Sequence, residues 1–145
     1  MSDSTLTGQA AEIRDEFLDL DLSSRLELLL EFSNELPALP ERLADHPELL
    51  ERVAECQAPV FIVVEVDDGL VTMFAQAPPE APTTRGFASI LAQTLNGLTV
   101  DEALALPDDY PQMIGLSKAV SPLRLNGMSG MLQRAKRQLR ARVGR

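Results

Sequence analysis

Cysteine and histidine are almost absent from this 145-residue chain, which has one of each, Cys56 and His46. A single thiol cannot form an intrachain disulfide. Structural zinc and iron–sulfur clusters need three or four cysteine or histidine ligands, so two such residues exclude both. A histidine-based nucleophilic triad has only His46 to draw on. That residue lies in Asp45-His46-Pro47-Glu48, a sequence that reads as a helix start, where a solvated capping role is expected. No Gly-rich phosphate loop of either usual spacing occurs. No apolar run approaches the roughly 20 residues of a membrane span, so no membrane partner is expected. The opening Met-Ser-Asp-Ser-Thr lacks the basic start and apolar middle of a signal peptide. With one cysteine and no export signal, the reducing cytoplasm is the expected location.

Basic residues are scarce over most of the chain. Residues 1–109 hold all 22 carboxylates and five arginines, Arg14, Arg25, Arg42, Arg52 and Arg85, whereas the segment from Tyr110 onward has eight basic residues and no acid. The net charge of -9 argues against nucleic acid as a partner, because phosphate contacts dominate that affinity. The basic C-terminal segment reads instead as a solvated helix end, its arginines suited to the negative pole of the helix dipole. The carboxylates are scattered, and no pair stands out as an acid/base couple.

An apolar fraction of 45% and a charged fraction of 24% are those of a globular chain, and the length suits one domain over residues 1–145 with its core at about 13–142. Ile13, Phe17 and Leu20 mark a weak first helix. Ser24-Arg25-Leu26-Glu27 reads as a capping box opening a second, which Leu36-Pro37 ends. A further helix is predicted from Asp45 through Leu49, Leu50 and Val53 to Cys56, which would put the cysteine at a helix-to-strand junction. A strand then follows at about 59–66, a turn at Asp67-Asp68-Gly69 with glycine taking the positive φ, and a second strand at about 70–76. Glu65 is the only charge in the first strand, which predicts cover on most of both its faces. After a proline-rich loop, Thr83 or Thr84 is the expected cap of a helix with Phe87, Ile90, Leu91, Thr94 and Leu95 on one face, stopped by Asn96-Gly97. Thr99-x-x-Glu102 opens a short helix ending at Pro107, and a second short one is expected around Asp108 to Met113. Ser121-Pro122 opens the last, with Met128, Met131, Leu132, Ala135 and Leu139 on one stripe. An antiparallel hairpin flanked by helices implies an α+β fold with a small antiparallel sheet.

Cys56 is the one residue left with chemistry to offer. It is either a small buried hydrophobe or a single-thiol reaction centre. Glu55 is adjacent, and Glu51 lies about a turn away if the segment is helical. Negative charge nearby raises a thiol pKa. A functional Cys56 therefore calls for activation from outside the chain.

The order Arg52-Val53-x-x-Cys56-Gln57-x-x-Val60 resembles the SufE family of sulfur acceptors. The resemblance extends over about residues 13–140. It includes Arg25-Leu26 with Leu29, Leu30, Glu31 and Leu36-Pro37, then Thr84-Arg85-Gly86-Phe87, and Ser121-Pro122-x-Arg124-x-Asn126-Gly127-Met128. Glu55 stands where the family usually has glycine, Ala58-Pro59 where it has Ser-Gln, and Phe61 where it has a strand tryptophan. Ala77-Pro78-Pro79 replaces its small or acidic residues after the second strand.

The resemblance implies that Cys56 takes persulfide sulfur from a pyridoxal-phosphate cysteine desulfurase of the SufS or CsdA kind. It further implies delivery to an iron–sulfur scaffold of the SufBCD kind, with faster desulfurase turnover and no cofactor or metal on this chain. It assigns Arg124 to docking or to stabilising the anionic sulfur, offsetting Glu55, with Gln57 and Arg85 as second choices. It also implies a sheet-and-helix fold similar to IscU-type scaffolds. Two other readings of Cys56 stay open, a single-thiol sulfurtransferase acting on small molecules and an interaction module with Cys56 in its core. Monomer and homodimer are both compatible with the sequence. So is an arrangement in which Cys56 points into a pocket and swings out on docking.

Overall fold

A three-stranded antiparallel sheet in the order β1-β2-β3 gives the molecule its frame: β1 (Glu51–Arg52), β2 (Phe61–Asp67) and β3 (Leu70–Gln76). The coordinates are a computed structural model that describes residue 6 and residues 8–144, so the Met-Ser-Asp-Ser-Thr stretch lies outside the described residues. The α+β expectation holds. On one face Ile62, Val64 and Val66 pair with Ala75, Met73 and Val71, and all but the half-buried Val66 are almost wholly buried. On the other face Val63 is buried and Phe61, Glu65, Thr72 and Phe74 are half covered. There Arg42 from the short helix α3 (Glu41–Ala44) holds Glu65 through two N–H···O bonds of 2.7 Å and lies 5.5 Å from the Phe74 ring centre. The single charge in β2 is thus paired with a cation. At the hairpin both Asp68 (φ 53°) and Gly69 (φ 79°) are left-handed, the pairing a two-residue I′ turn requires.

Helices close over the buried face. α1 (Gly8–Leu18) buries Ala10, Ile13 and Phe17, and Phe17 stacks on Phe32 at 5.9 Å. α2 (Leu22–Glu35) begins one turn before the sequence reading placed it. Its cap is Asp21, whose carboxylate accepts from the Ser24 N–H at 2.8 Å, so Ser24 lies inside the helix rather than before it. It stops at Glu35, and Leu36, held extended by the following proline, caps it.

α4 (Pro82–Leu95) is the central helix and packs against α1, α2, β3 and the C-terminal helix. The predicted face is buried, and so are Ala88, Ser89 and Ala92, because α4 has neighbours on nearly every side. Its cap position is Ala81 with proline following, not Thr83 or Thr84. A Cβ on Gly86 would stand 2.6 Å from the Leu29 carbonyl, so glycine there sets the close approach of α2 and α4.

α5 (Val100–Ala105) opens with the Thr99–Glu102 capping box, and α6 (Tyr110–Met113) follows. α7 (Pro122–Arg142) opens at Ser121, whose hydroxyl accepts from the Arg124 N–H, and its Met128, Met131, Leu132, Ala135 and Leu139 are fully buried. α7 packs across β2.

Two further sequence expectations are corrected. The segment from Asp45 to Cys56 is not a helix. Only a 3-10 turn at Pro47–Leu49 forms before the chain enters β1, and Glu51 pairs with Ile62 in the sheet. Proline at 47 starts a turn, but the two-residue strand gains its hydrogen bonds only from β2, across the intervening loop. Second, the basic residues of α7 are not simply a solvated end. Lys136 is buried and donates to the Leu106 carbonyl and to Asp108 at 2.7 Å, while Arg134 and Arg137 pair with carboxylates near β1. His46 stands exposed at the N-cap position of that turn, but its ring makes no capping bond and lies 3.0 Å from the Glu48 carboxylate. No helix among the described residues is long and apolar enough to cross a membrane.

Candidate functional site

Cys56 occupies the loop joining β1 to β2, not a helix-to-strand junction. The loop is pinned at its base, where the Val53 N–H donates to the Val60 carbonyl at 2.9 Å and the Cys56 N–H donates to the Val53 carbonyl at 3.1 Å. The side chain turns inward and is 7% exposed, so the sulfur is not free to meet a large partner in this state.

Two glycines one turn apart on α7 make room for the loop. A Cβ on Gly127 would stand 2.9 Å from the Cys56 Sγ, and a Cβ on Gly130 would stand 2.7 Å from the Glu55 side chain. Glycine inside a helix costs about 1 kcal/mol relative to alanine, so two of them facing one loop mark a close approach. Among the features missed in the sequence, this Gly-x-x-Gly spacing was the one with a readable signal.

Beside the sulfur opens a cleft of about 390 Å³, lined by loop residues 55–58, by residues 80–84 at the start of α4, and by Leu123, Arg124 and Gly127 of α7. Of the residues singled out in the sequence, the structure brings Cys56, Gln57 and Arg124 together here. Gln57 and Arg124 are exposed, and the Arg124 guanidinium has no partner among the described residues. Arg85 is not part of the lining. Its guanidinium donates to the carbonyls of Ser33 at 3.0 Å and Ala77 at 2.6 Å, with Leu36 at 3.5 Å, and so ties α2 to the end of β3. This arrangement accounts for Arg85-Gly86 structurally, as a clamp and a close contact between the same two helices.

The electrostatics around the sulfur are unfavourable to a thiolate. Burial first, then the charge of Glu55, pushes the Cys56 thiol up to about 11, and Arg134 offsets this only in part. Glu51 is not among the causes. The cation beside Glu55 is Arg134, 79 positions away in sequence, whose Nε donates to the Glu55 carboxylate at 2.8 Å and whose second nitrogen reaches Glu51 at 2.6 Å. Arg137 also donates to Glu51, and Gln138 bridges Glu51 (2.9 Å) to the Val64 N–H (2.7 Å). Hydrogen bonding to Arg134 holds the Glu55 carboxyl below its ordinary range. Glu51 is held low as well, burial being outweighed by Gln138, Arg134 and Arg137. Among the described residues no group of three or more histidine, cysteine or acidic side chains could hold a metal ion.

The chemistry-bearing group of this cleft is a single buried thiol, suited to exchange at sulfur. Residues 11–139 match the family described as SufE, Fe-S metabolism associated domain. An uncharacterised SufE-like protein of Mycobacterium tuberculosis is 48% identical over 137 residues, covering 94% of each chain. An uncharacterised SufE-like protein of Synechocystis is 30% identical over 128 residues, covering 88% of this chain and 77% of that one. A solved structure, the solution structure of a hypothetical protein from Thermus thermophilus, superposes with a TM-score of 0.83 at 31% identity, covering 94% of this chain and 97% of the other.

Proposed function

The chain belongs to the SufE family, and from that premise we propose that Cys56 accepts sulfane sulfur from the persulfide of a cysteine desulfurase of the SufS or CsdA kind. The Cys56 Sγ, as thiolate, bonds to the outer sulfur of the partner's persulfide. The partner's S–S bond breaks, and its cysteine leaves as a thiolate that takes up the proton Cys56 released. One sulfur moves with no net oxidation, and the product is a persulfide on Cys56. Removing that sulfur frees the desulfurase for its next turnover, and the carried sulfur passes to an iron–sulfur scaffold of the SufBCD kind.

The observation that carries this reading is a sole thiol beside a cleft, in a loop folded back on α7. Having one thiol suits a carrier. A second cysteine in reach would attack the persulfide, expel sulfide and leave a disulfide. The thiol's raised pKa supports activation on the partner, since the closed loop holds it protonated. Arg124, which has no partner among the described residues, lies at the rim of the same cleft and is the group available to meet a sulfur anion or an acidic partner surface.

The test is a non-reducing intact mass after incubation with an active cysteine desulfurase and L-cysteine, with Cys56→Ala alongside. The parent gains one sulfur atom and the variant gains none. Absence of any gain with a desulfurase shown to bind the chain would return Cys56 to a purely structural role.

A further inference from the structure

The residue before Cys56 is paired with a cation on α7. Backbone bonds join Val53 to Val60 and Cys56 to Val53, and the turn they enclose is fastened to α7 by the Glu55 side chain lying over Gly130 and bonded to Arg134. Arg134 is itself fixed from the other side by Glu51 of β1, so the guanidinium is anchored to the sheet whatever the loop does. Both partners are about two-thirds to three-quarters buried, their side chains 35% and 24% exposed. Such an ion pair is worth little to global stability. It nevertheless sits one residue from the only thiol, and the loop cannot lift away from α7 without separating it.

We propose that Glu55 and Arg134 form a latch on the cysteine loop, with Arg134 as a positioning residue that sets how often Cys56 is exposed. The latch is a property of the free chain. Its consequence for sulfur transfer rests on the function proposed above. A partner that opens the loop must compete for one of the two charges, so the same contact favours partners bearing a charged group at this edge of the cleft.

The charged groups around Cys56 are Glu55, Glu80, Arg124 and Arg134, and of these Glu55 and Arg134 shift its ionisation, so changing either alters the thiol as well as the latch. The two effects have opposite signs at Arg134. Removing this cation leaves the thiol less ionised, which by itself slows alkylation. Removing the latch exposes the thiol, which speeds it. The experiment is the rate of iodoacetamide alkylation of the full chain near neutral pH for the parent, Arg134→Gln and Glu55→Asp. Glu55→Asp keeps the negative charge but shortens the arm, so an ionisation effect alone leaves its rate unchanged.

The latch predicts that Glu55→Asp reacts roughly two- to fivefold faster than the parent, the range set by a pair of this exposure, with a smaller gain in Arg134→Gln, where the less ionised thiol opposes it. If the folded Glu55→Asp variant reacts no faster than the parent, the latch is overturned. Glu55→Asp decides, since it keeps the charge, and Arg134→Gln is compared beside it once thermal melts show both variants folded. Desulfurase-driven sulfur loading is then measured on the same proteins. If alkylation speeds up but no chain ever gains sulfur, the latch stands and the carrier function fails. If sulfur loads onto all of them while alkylation is unchanged, the reverse holds.

Discussion

The sulfur of Cys56 fills the space that a side chain at Gly127 would occupy, 2.9 Å from where the Cβ would lie. The loop carrying the thiol and the helix beneath it are therefore matched at one atom. Whatever enlarges either partner displaces the other.

Gly127→Ala is expected to lower stability by up to about 2 kcal/mol. Overpacking of this kind costs about 1–3 kcal/mol, and helix propensity returns up to about 1 kcal/mol. In a Cys56→Ala background the sulfur is gone and most of the cost disappears. Urea unfolding of the four proteins in that cycle measures the coupling. An equal cost in both backgrounds would mean that the strain lies elsewhere.

At pH 8 the thiol of the folded chain is expected to alkylate about a hundredfold more slowly than in the urea-unfolded chain, tenfold for each pH unit between 9.0 and about 11. Sterics add to this, so equal rates in the two states would contradict a buried, protonated thiol. The raised value also carries a sign for stability. Above the unfolded thiol's pKa the unfolded chain loses its proton and the folded one does not, so alkaline pH erodes stability up to about 11. Cys56→Ala removes that component of the alkaline loss, visible as a smaller drop in Tm.

Arg124→Ala and Arg85→Ala should separate cleanly. Arg124 is exposed with no side-chain partner among the described residues, so its loss leaves Tm nearly unchanged while desulfurase-driven sulfur loading falls. Arg85 donates to carbonyls of α2 and of the stretch after β3, so its loss leaves part-buried acceptors unpaired at about 1–3 kcal/mol. Thermal melts and loading rates on both variants check this. A large Tm drop for Arg124→Ala would assign it to the fold instead.

Acid should loosen the contact between β1 and α7. Glu51 and Glu55 ionise at lower pH in the fold than in the unfolded chain. Their contribution is therefore complete above the ordinary glutamate range, near about 4.3, and is lost as pH falls through the lower folded values. The Tm difference between the parent and the Glu51→Gln, Glu55→Gln double variant is expected to be largest near neutrality and to close toward about pH 3. A gap that does not change with pH would assign the loss to packing.

Local chemistry was legible where its partners lie within a turn. The Ser121-Pro122 start and the Thr99–Glu102 box both form as read, because a cap needs only backbone three residues away. The same logic erred at Ser24, where Asp21 three residues earlier offers a competing carboxylate that also caps. It erred again at residues 45–56. A two-residue strand has almost no pattern of its own, and β1 exists only because β2 pairs with it.

By itself the sequence determined the α+β class, the β2–β3 hairpin, the stripe of α7 and the identity of the one thiol. Each of these follows from periodicity, turn chemistry or simple inventory along a short stretch of chain. Only the tertiary structure decided that Cys56 turns inward against Gly127, that Arg124 shares its cleft while Arg85 clamps two helices, and that Arg134 holds Glu55. These contacts join residues separated by between 49 and 79 positions, as Arg85 to Leu36 and Arg134 to Glu55. Side-chain partners at that separation are chosen by how helices pack on the sheet, and no local propensity encodes that choice.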